Sequence, residues 1–303
     1  MPLPEKEPET GFIIETDEGQ TEVGIEEIER MAAENDPVGM YALGMAYLFG
    51  HGTEQDSGKG YGLLEKAAEA GNPDAKALLV SMFFDGDYMG FDTKKAVGYA
   101  KDAADAGIAE GQLYYGIACM DGNTVPQDYA EAMKQFRAAA KQGNSEARNT
   151  LAYMYLEGLG VEKDEEKAFR LFKNAASAGN TNARYQTGVC YETGCGCAKN
   201  LEKAREWYEK AAADGDAYAM DRLGIIYYNG SAELKKDPVK SFEWFLRAAS
   251  DGMVDSMYSV GCYYLDGFGT EKNETEARKW LVMAKDNGHV TAEELLRQLD
   301  GAS

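Results

Sequence analysis

Histidine is scarce in this chain: two among 303 residues, His51 and His289. Neither stands in an H-E-x-x-H or other ligand spacing, so both read as turn residues and metal-dependent hydrolysis finds no motif. Cysteine is present five times, an odd number in a chain with no stapling pattern, which argues against a disulfide framework and for a reducing compartment. Long apolar runs are missing. Those that occur are cut by glycine or charge, which excludes a membrane-spanning helix. The first residues carry neither a basic region nor an apolar core, so no secretory signal and a cytoplasmic location are expected; a secreted form with its signal trimmed would read the same way. Basic residues are outnumbered, 31 against 52 acidic, for a net charge of −21. Such a surface repels phosphate backbones and anionic headgroups, so nucleic acid is not an expected partner; the same acidity also keeps a long molecule soluble. No internal linker rich in Pro, Ser or Gly divides the chain.

What the chain has instead is a period. Glycines that close a helical stretch fall at Gly71, Gly107, Gly143, Gly179, Gly215, Gly252 and Gly288, in steps of 36, 36, 36, 36, 37 and 36 residues. A second register agrees: Asp56, Asp92, Asp128, Asp164, Asn200, Asp237 and Asn273 each stand where a helix N-cap is needed. The one extra residue lies between Gly230 and Asp237, inside a turn, where an insertion leaves both flanking helices intact. Residues 147–179 show the unit most clearly. Ala147, Leu151, Ala152 and Tyr155 form one helical stripe, Gly158 and Gly160 turn the chain, and Asp164 opens a second helix with Ala168, Leu171, Phe172, Ala175 and Ala176 inward. Gly179 then closes it.

The period predicts an all-α fold: a solenoid of seven helix-turn-helix repeats with a capping helix at each end. The repeats are expected at 36–71, 72–107, 108–143, 144–179, 180–215, 216–252 and 253–288. Residues 1–24 carry seven acidic side chains against Lys6 and are expected to be a mobile tail, with the apolar Phe12, Ile13 and Ile14 as a short contact on the first helix or a segment that docks in a groove. Residues 25–35 read as the N-terminal cap, with Asn35 one period before Gly71, and residues 289–303 as the C-terminal cap and tail.

The units A-x-x-x-L-[GA]-x-x-Y-x-x-G-x-G-V and D-x-x-K-A, followed by an aromatic pair and A-A-x-x-G, resemble Sel-one-like repeats (SLR), relatives of the tetratricopeptide repeat. The match is strongest at 144–179 and at 180–215, where Gly188, Tyr191, Gly194, Gly196, Lys203, Ala204, Trp207, Tyr208, Ala211 and Ala212 all fall in place. Val80 and Phe83 depart from the expected Gly and Tyr, Gly111 from the leading Ala, and Gly60 from the Ala of the second helix. The resemblance implies a right-handed superhelix that acts as a non-catalytic scaffold or adaptor, its first helices lining a concave face that binds proteins or peptides.

On that geometry, positions one before the leading small residue and two, six, nine and ten after it face the ligand. The set includes Tyr41, Met45, Phe84, Asp85, Asp121, Asn149, Tyr153, Glu157, Tyr185, Glu192, Tyr218, Asp221, Tyr228, Tyr258 and Asp266. Aromatics give broad contact at low entropic cost and carboxylates select cations, so a segment with basic and apolar residues is the expected partner. About half of the tyrosines are expected to be packing between hairpins instead. No cofactor is expected. Two alternatives remain: a metal- or redox-sensing module at Cys190, Cys195 and Cys197, short of the four ligands a structural zinc site needs, and a β-lactam-binding hydrolase by analogy with a cysteine-rich branch of the resembling family. That branch staples each repeat with a disulfide, whereas Arg148 and Ala176 occupy the equivalent positions here, and no S-x-x-K with K-T-G occurs. The sequence leaves the oligomeric state open.

Overall fold

Each hairpin is written twice in local chemistry, once at its turns and once at the interface between its helices. A computed structural model of the chain describes residues 12–16, 19–87, 90, 92–231 and 234–301. In order, these form β1 (Phe12–Thr16), β2 (Gly19–Val23), α1 (Ile25–Ala33), α2 (Pro37–Phe49), α3 (Ser57–Glu69), α4 (Pro73–Asp85), α5 (Thr93–Asp105), α6 (Ala109–Asp121), α7 (Tyr129–Lys141) and α8 (Ser145–Glu157). There follow α9 (Glu165–Ser177), α10 (Thr181–Thr193), α11 (Leu201–Ala213), α12 (Ala217–Asn229), α13 (Pro238–Ser250), α14 (Val254–Asp266), α15 (Glu274–Asp286) and α16 (Val290–Gly301). The chain divides into two compact units, 1–147 and 148–303, with the boundary in the first turn of α8.

The caps do what their chemistry requires. Asp56, Asp92, Asp128, Asp164, Asn200, Asp237 and Asn273 each accept a hydrogen bond from a backbone N–H in the first turn of the second helix of their hairpin. At the other end, the closing glycines take φ between 87° and 100°, the left-handed region, and Asn35 takes 60° in their place after α1. A different need fixes Gly196 and Gly269. A Cβ on Gly196 would lie 2.0 Å from the carbonyl oxygen of Glu165, and one on Gly269 would lie 2.1 Å from that of Pro238. The turn of one repeat therefore rests bare backbone on the start of the preceding repeat's second helix.

Between the two helices of a hairpin, volume is conserved rather than residue type. Gly44 abuts Leu64, Gly116 abuts the Phe136 ring, Gly188 the Tyr208 ring, Gly224 the Phe245 ring and Gly261 Leu281. Repeat four uses Ala152 with Phe172, and repeat two inverts the pair: Val80 on the first helix stands in register with Ala100 on the second. All four of these residues are fully buried. The departure at Val80 is thus matched one helix away, as close packing demands. A second link recurs beside it. Lys59, Lys167, Lys203 and Lys240 place their ammonium groups 5.2, 4.1, 5.5 and 5.3 Å from the ring centres of Tyr47, Tyr155, Tyr191 and Tyr227, joining the two helices of a hairpin by a cation–π contact.

The N-terminal expectation needs correction. Within the segment read as a mobile tail, β1 and β2 pair antiparallel, Phe12 opposite Val23 and Thr16 opposite Gly19. Val23 packs against the core of Ile28, Ala42, Leu43 and Ala46 on α1 and α2. Net acidity concealed a run of β-branched residues, Ile13, Ile14, Thr16, Thr21 and Val23, which favours extended backbone. Residues 1–11, 17 and 18 lie outside the described residues, and so do the side chains of Phe12, Ile13 and Ile14.

Candidate functional site

The first helices α2, α4, α6, α8, α10, α12 and α14 carry all fifteen predicted ligand-facing residues, but the five helical columns they come from are not equivalent. In the column ten after the small residue, Phe49, Asp85, Asp121, Glu157, Thr193, Asn229 and Asp266 are exposed in every repeat. In the column two after it, Ala77, Leu113 and Asn149 are buried and Tyr41, Tyr185, Asp221 and Tyr258 are half-buried. That column lies largely between neighbouring hairpins. Asn149, with its Oδ1 buried and unpartnered, is an interior residue, which corrects its assignment to the surface.

In the N-terminal unit, Tyr41 and Met45 are half-buried and Phe84 and Asp85 are exposed at the end of α4. The Phe84 ring stacks on Tyr114 with centroids 4.9 Å apart, and Ser81 donates to the Asp85 carboxylate. Tyr114 stands three after the small residue, outside the five columns expected to face a ligand.

The C-terminal unit gathers more of the set. Tyr153 meets Phe172 edge-on at 5.0 Å, and Tyr185 lies between Tyr208 at 5.7 Å and the exposed Tyr218 at 6.1 Å. Two carboxylates are already engaged. Glu192 accepts from the Tyr208 hydroxyl at 2.6 Å and from Arg222 Nη2 at 2.5 Å, and Asp221 accepts from Ser256 Oγ at 2.5 Å. Burial raises the Tyr208 hydroxyl far above the usual phenol range, with the Glu192 carboxylate adding to it, so the hydroxyl stays a donor. Burial also raises Asp221, outweighing its bond from Ser256. Glu192 and Asp221 therefore serve neighbouring repeats first; Asp85, Asp121, Glu157 and Asp266 are the exposed carboxylates of the set.

One concavity is well formed. It has a volume of about 430 Å³ and is lined by Tyr228, Phe245, Tyr258, Ser259, Cys262, Tyr263, Asp266, Gly267 and Phe268, from α12, α13, α14 and the turn after α14. Tyr228, Tyr258 and Asp266 were expected at the surface; the other six were missed. Phe268 had a sequence signal of its own, an aromatic residue held between the turn residues Gly267 and Gly269. Tyr228 is 49% exposed and Phe268 38%, large rings left at the mouth. Burial pushes up the Tyr258 and Tyr263 hydroxyls and the Cys262 thiol, so all three are neutral near pH 7 and Asp266 is the one carboxylate of the lining.

The cysteine cluster does not assemble into a ligand set. Cys190, Cys195 and Cys197 are free thiols, and among the described residues no three His, Cys, Asp or Glu side chains are grouped to hold a metal ion. Burial pushes the Cys190 thiol up to about 12, and Cys195 and Cys197 are raised by the same cause. The Cys197 thiol instead donates to the Cys190 carbonyl at 3.4 Å. Among the described residues no helix is long and apolar enough to cross a membrane.

Comparison with known proteins agrees with the period. The Sel1 repeat model matches residues 37–72, 77–108, 109–144, 145–180, 181–216, 217–253 and 254–289. The second match is the short one, and it is the repeat that holds Val80 and Phe83. Among solved structures, the chain is similar to a protective antigen of uropathogenic Escherichia coli displaying an SLR fold, at 30% identity and a TM-score of 0.74, over 91% of this chain and 59% of that one. It is equally similar to a Sel1 repeat protein from Oxalobacter formigenes, at 30% identity and a TM-score of 0.72, over 91% and 80% of the two chains. The chain thus spans less than two thirds of the Escherichia coli protein's length. No curated protein sequence matches it.

Proposed function

The chain belongs to the Sel1 repeat family, and from that premise we propose that it is a non-catalytic scaffold that binds a peptide segment of another protein along the first-helix face of its C-terminal unit, favouring basic and apolar side chains. Sel1 repeats are in general a protein-interaction scaffold. The observation that carries the finer reading is the concavity at α12 to α14, where exposed Tyr228 and Phe268 stand beside the Asp266 carboxylate. Rings that remain in water offer apolar area at little entropic cost, and a lone carboxylate in a molecule of net charge −21 draws a cation towards them. Tyr218, 62% exposed, extends the same chemistry towards α10.

A positional-scanning library of synthetic peptides, immobilised and probed with the purified chain, tests this. Enrichment of Lys or Arg next to Leu, Phe or Met is expected, and it should fall in a Tyr218→Ala, Tyr228→Ala double variant of unchanged helicity. Enrichment of acidic residues, or none, would refute the reading.

A further inference from the structure

The concavity on α12 to α14 has a composition that a general basic residue does not require. Its rings meet at steep angles: Tyr263 and Phe268 at 69° and 5.2 Å, Tyr228 and Phe268 at 72° and 5.8 Å, Phe245 and Tyr263 at 67° and 5.7 Å, and Tyr228 and Tyr263 at 52° and 6.4 Å. Rings set edge to face in this way wall an open cavity on more than one side rather than forming a flat stack. On the far side, the ring of Tyr258 is stacked on His289 at 4.4 Å, which holds it in place. No lysine or arginine is among the lining residues. Elsewhere the chain uses its own cations on such rings, as in Lys203 over Tyr191; in the seventh repeat Glu276 stands at the lysine position and the equivalent ring, Tyr264, meets Phe242 instead.

Which cation fits follows from counting acceptors. A primary ammonium has three N–H donors and a guanidinium five, and each must exchange water for an acceptor on entering. Apart from Asp266, the side-chain acceptors of the lining are hydroxyls and a thiol, and the Tyr263 hydroxyl is already engaged with Ser241 at 2.6 Å. A quaternary trimethylammonium spreads its charge over methyl groups, has no N–H donor to satisfy, and is attracted by ring faces on several sides at once. We propose that this pocket is a receptor for a trimethylated lysine side chain on a partner peptide, with Tyr228, Tyr258, Tyr263 and Phe268 surrounding the methyl groups and Asp266 supplying the countercharge. A peptide source is favoured over a free ammonium compound because the rings at the mouth, Tyr228 and Phe268, are exposed well beyond what a small ion would cover, and Tyr218 continues the aromatic surface towards α10. The proposal rests on the peptide-binding reading above and names its anchor.

Titration calorimetry on the full chain tests it with four probes: acetyl-Gly-Lys(trimethyl)-Gly-amide, the unmethylated peptide, choline, and 3,3-dimethylbutanol, the uncharged isostere of choline. The trimethylated peptide should bind at least about tenfold more tightly than the unmethylated one, and choline about tenfold more tightly than its isostere. Phe268→Leu keeps apolar volume and should lose most of the binding; Phe268→Tyr keeps the ring and should retain it; Asp266→Asn should weaken it several-fold. Equal binding of choline and dimethylbutanol would mean a merely apolar pocket and overturn the proposal, as would a Phe268→Leu variant that binds normally. Equal binding of the two peptides would overturn it while leaving the peptide-binding reading intact, and tighter binding of choline than of the peptide would overturn the peptide-borne assignment. Failure of every probe overturns the proposal alone, because the library enrichment judges the broader reading independently.

Discussion

Repeats two and five share a period and an N-cap on the second helix, yet fill the space between their helices in opposite ways. Repeat five puts nothing on the first helix at Gly188 and a full ring on the second at Tyr208; repeat two puts Val80 on the first helix and Ala100 on the second. The consequence reaches the surface. The Tyr208 hydroxyl extends past Gly188 to Glu192 and through it to Arg222 of the next repeat, tying the outer end of α10 to α12. Ala100 reaches nothing comparable, and Phe84 and Asp85 at the same end of α4 stay exposed. The interior choice at one helix interface therefore changes how the outer end of the first helix meets the next repeat: through a hydroxyl and an ion pair in repeat five, and through the stacked rings of Phe84 and Tyr114 in repeat two.

The sharpest way to break this contrast is to exchange the two solutions. Tyr208→Ala empties a fully buried site and strands Glu192, and should cost about 4 kcal/mol. Gly188→Val drives a side chain into the Tyr208 ring, where a Cβ alone would already lie at 2.6 Å, and should cost about 3 kcal/mol. The double variant, which imitates repeat two, should be less destabilised than the sum by roughly 1–3 kcal/mol. Urea denaturation followed by far-UV dichroism measures all three, and strict additivity would mean that the two positions do not share one volume.

The reverse exchange is somewhat milder. Val80→Gly should cost about 3 kcal/mol through a cavity and a less favourable helix residue, and adding Ala100→Phe should recover part of it. Ala100→Phe alone should be destabilising by about 2 kcal/mol, because Val80 leaves it no room. If that single variant is as stable as the wild type, the compensation is accidental.

A third substitution separates the interior from its surface consequence. Arg222→Met removes the cation between α10 and α12 while keeping the apolar stem, and should cost about 1 kcal/mol since the pair is partly exposed. Helicity should be unchanged, and a Tyr208→Phe background should reduce the effect, because both donors serve one carboxylate. An effect independent of Tyr208 would show that repeat five has no network that repeat two lacks.

Much of the fold was legible because it depends on residues whose chemistry is strictly local. A carboxylate or amide at Asp164 or Asn200 caps a helix wherever the helix goes, and Gly179 or Asn35 takes the left-handed conformation for reasons contained in its own backbone. The site was less legible because its columns depend on how one hairpin sits on the next. Asn149 shares a helical face with Tyr185 one repeat on, but the neighbouring hairpin covers the first and only half covers the second. Glu192 and Asp221 read as ligand carboxylates, and only the partners Tyr208, Arg222 and Ser256, distant in sequence, reveal that they bond within the protein. Phe268 lies in a turn rather than on a helix; Leu159 and Cys195 stand between the same two turn glycines in other repeats, and the aromatic ring is what sets Phe268 apart from them.

The smallest expected effect concerns the column two after the small residue, which repeats two and six fill differently. Repeat two fills it with Ala77, which is buried; repeat six fills it with Asp221, whose pKa burial raises above the ordinary 3.8. A carboxyl raised on folding favours the folded state in its neutral form. Its contribution is fully present below about pH 3.8 and is lost as pH rises through the raised folded value. Asp221→Asn keeps an acceptor for Ser256 Oγ and cannot ionise. The variant should therefore match the wild type in acid and gain on it by less than about 1 kcal/mol as pH rises past that value, a difference read from urea midpoints at a series of pH values. A gap that does not change with pH would mean that Asp221 is as well solvated as an exposed carboxylate. In that case the column would be open to ligand in repeat six while closed in repeat two, and the peptide face would extend inward from Tyr218 to Asp221.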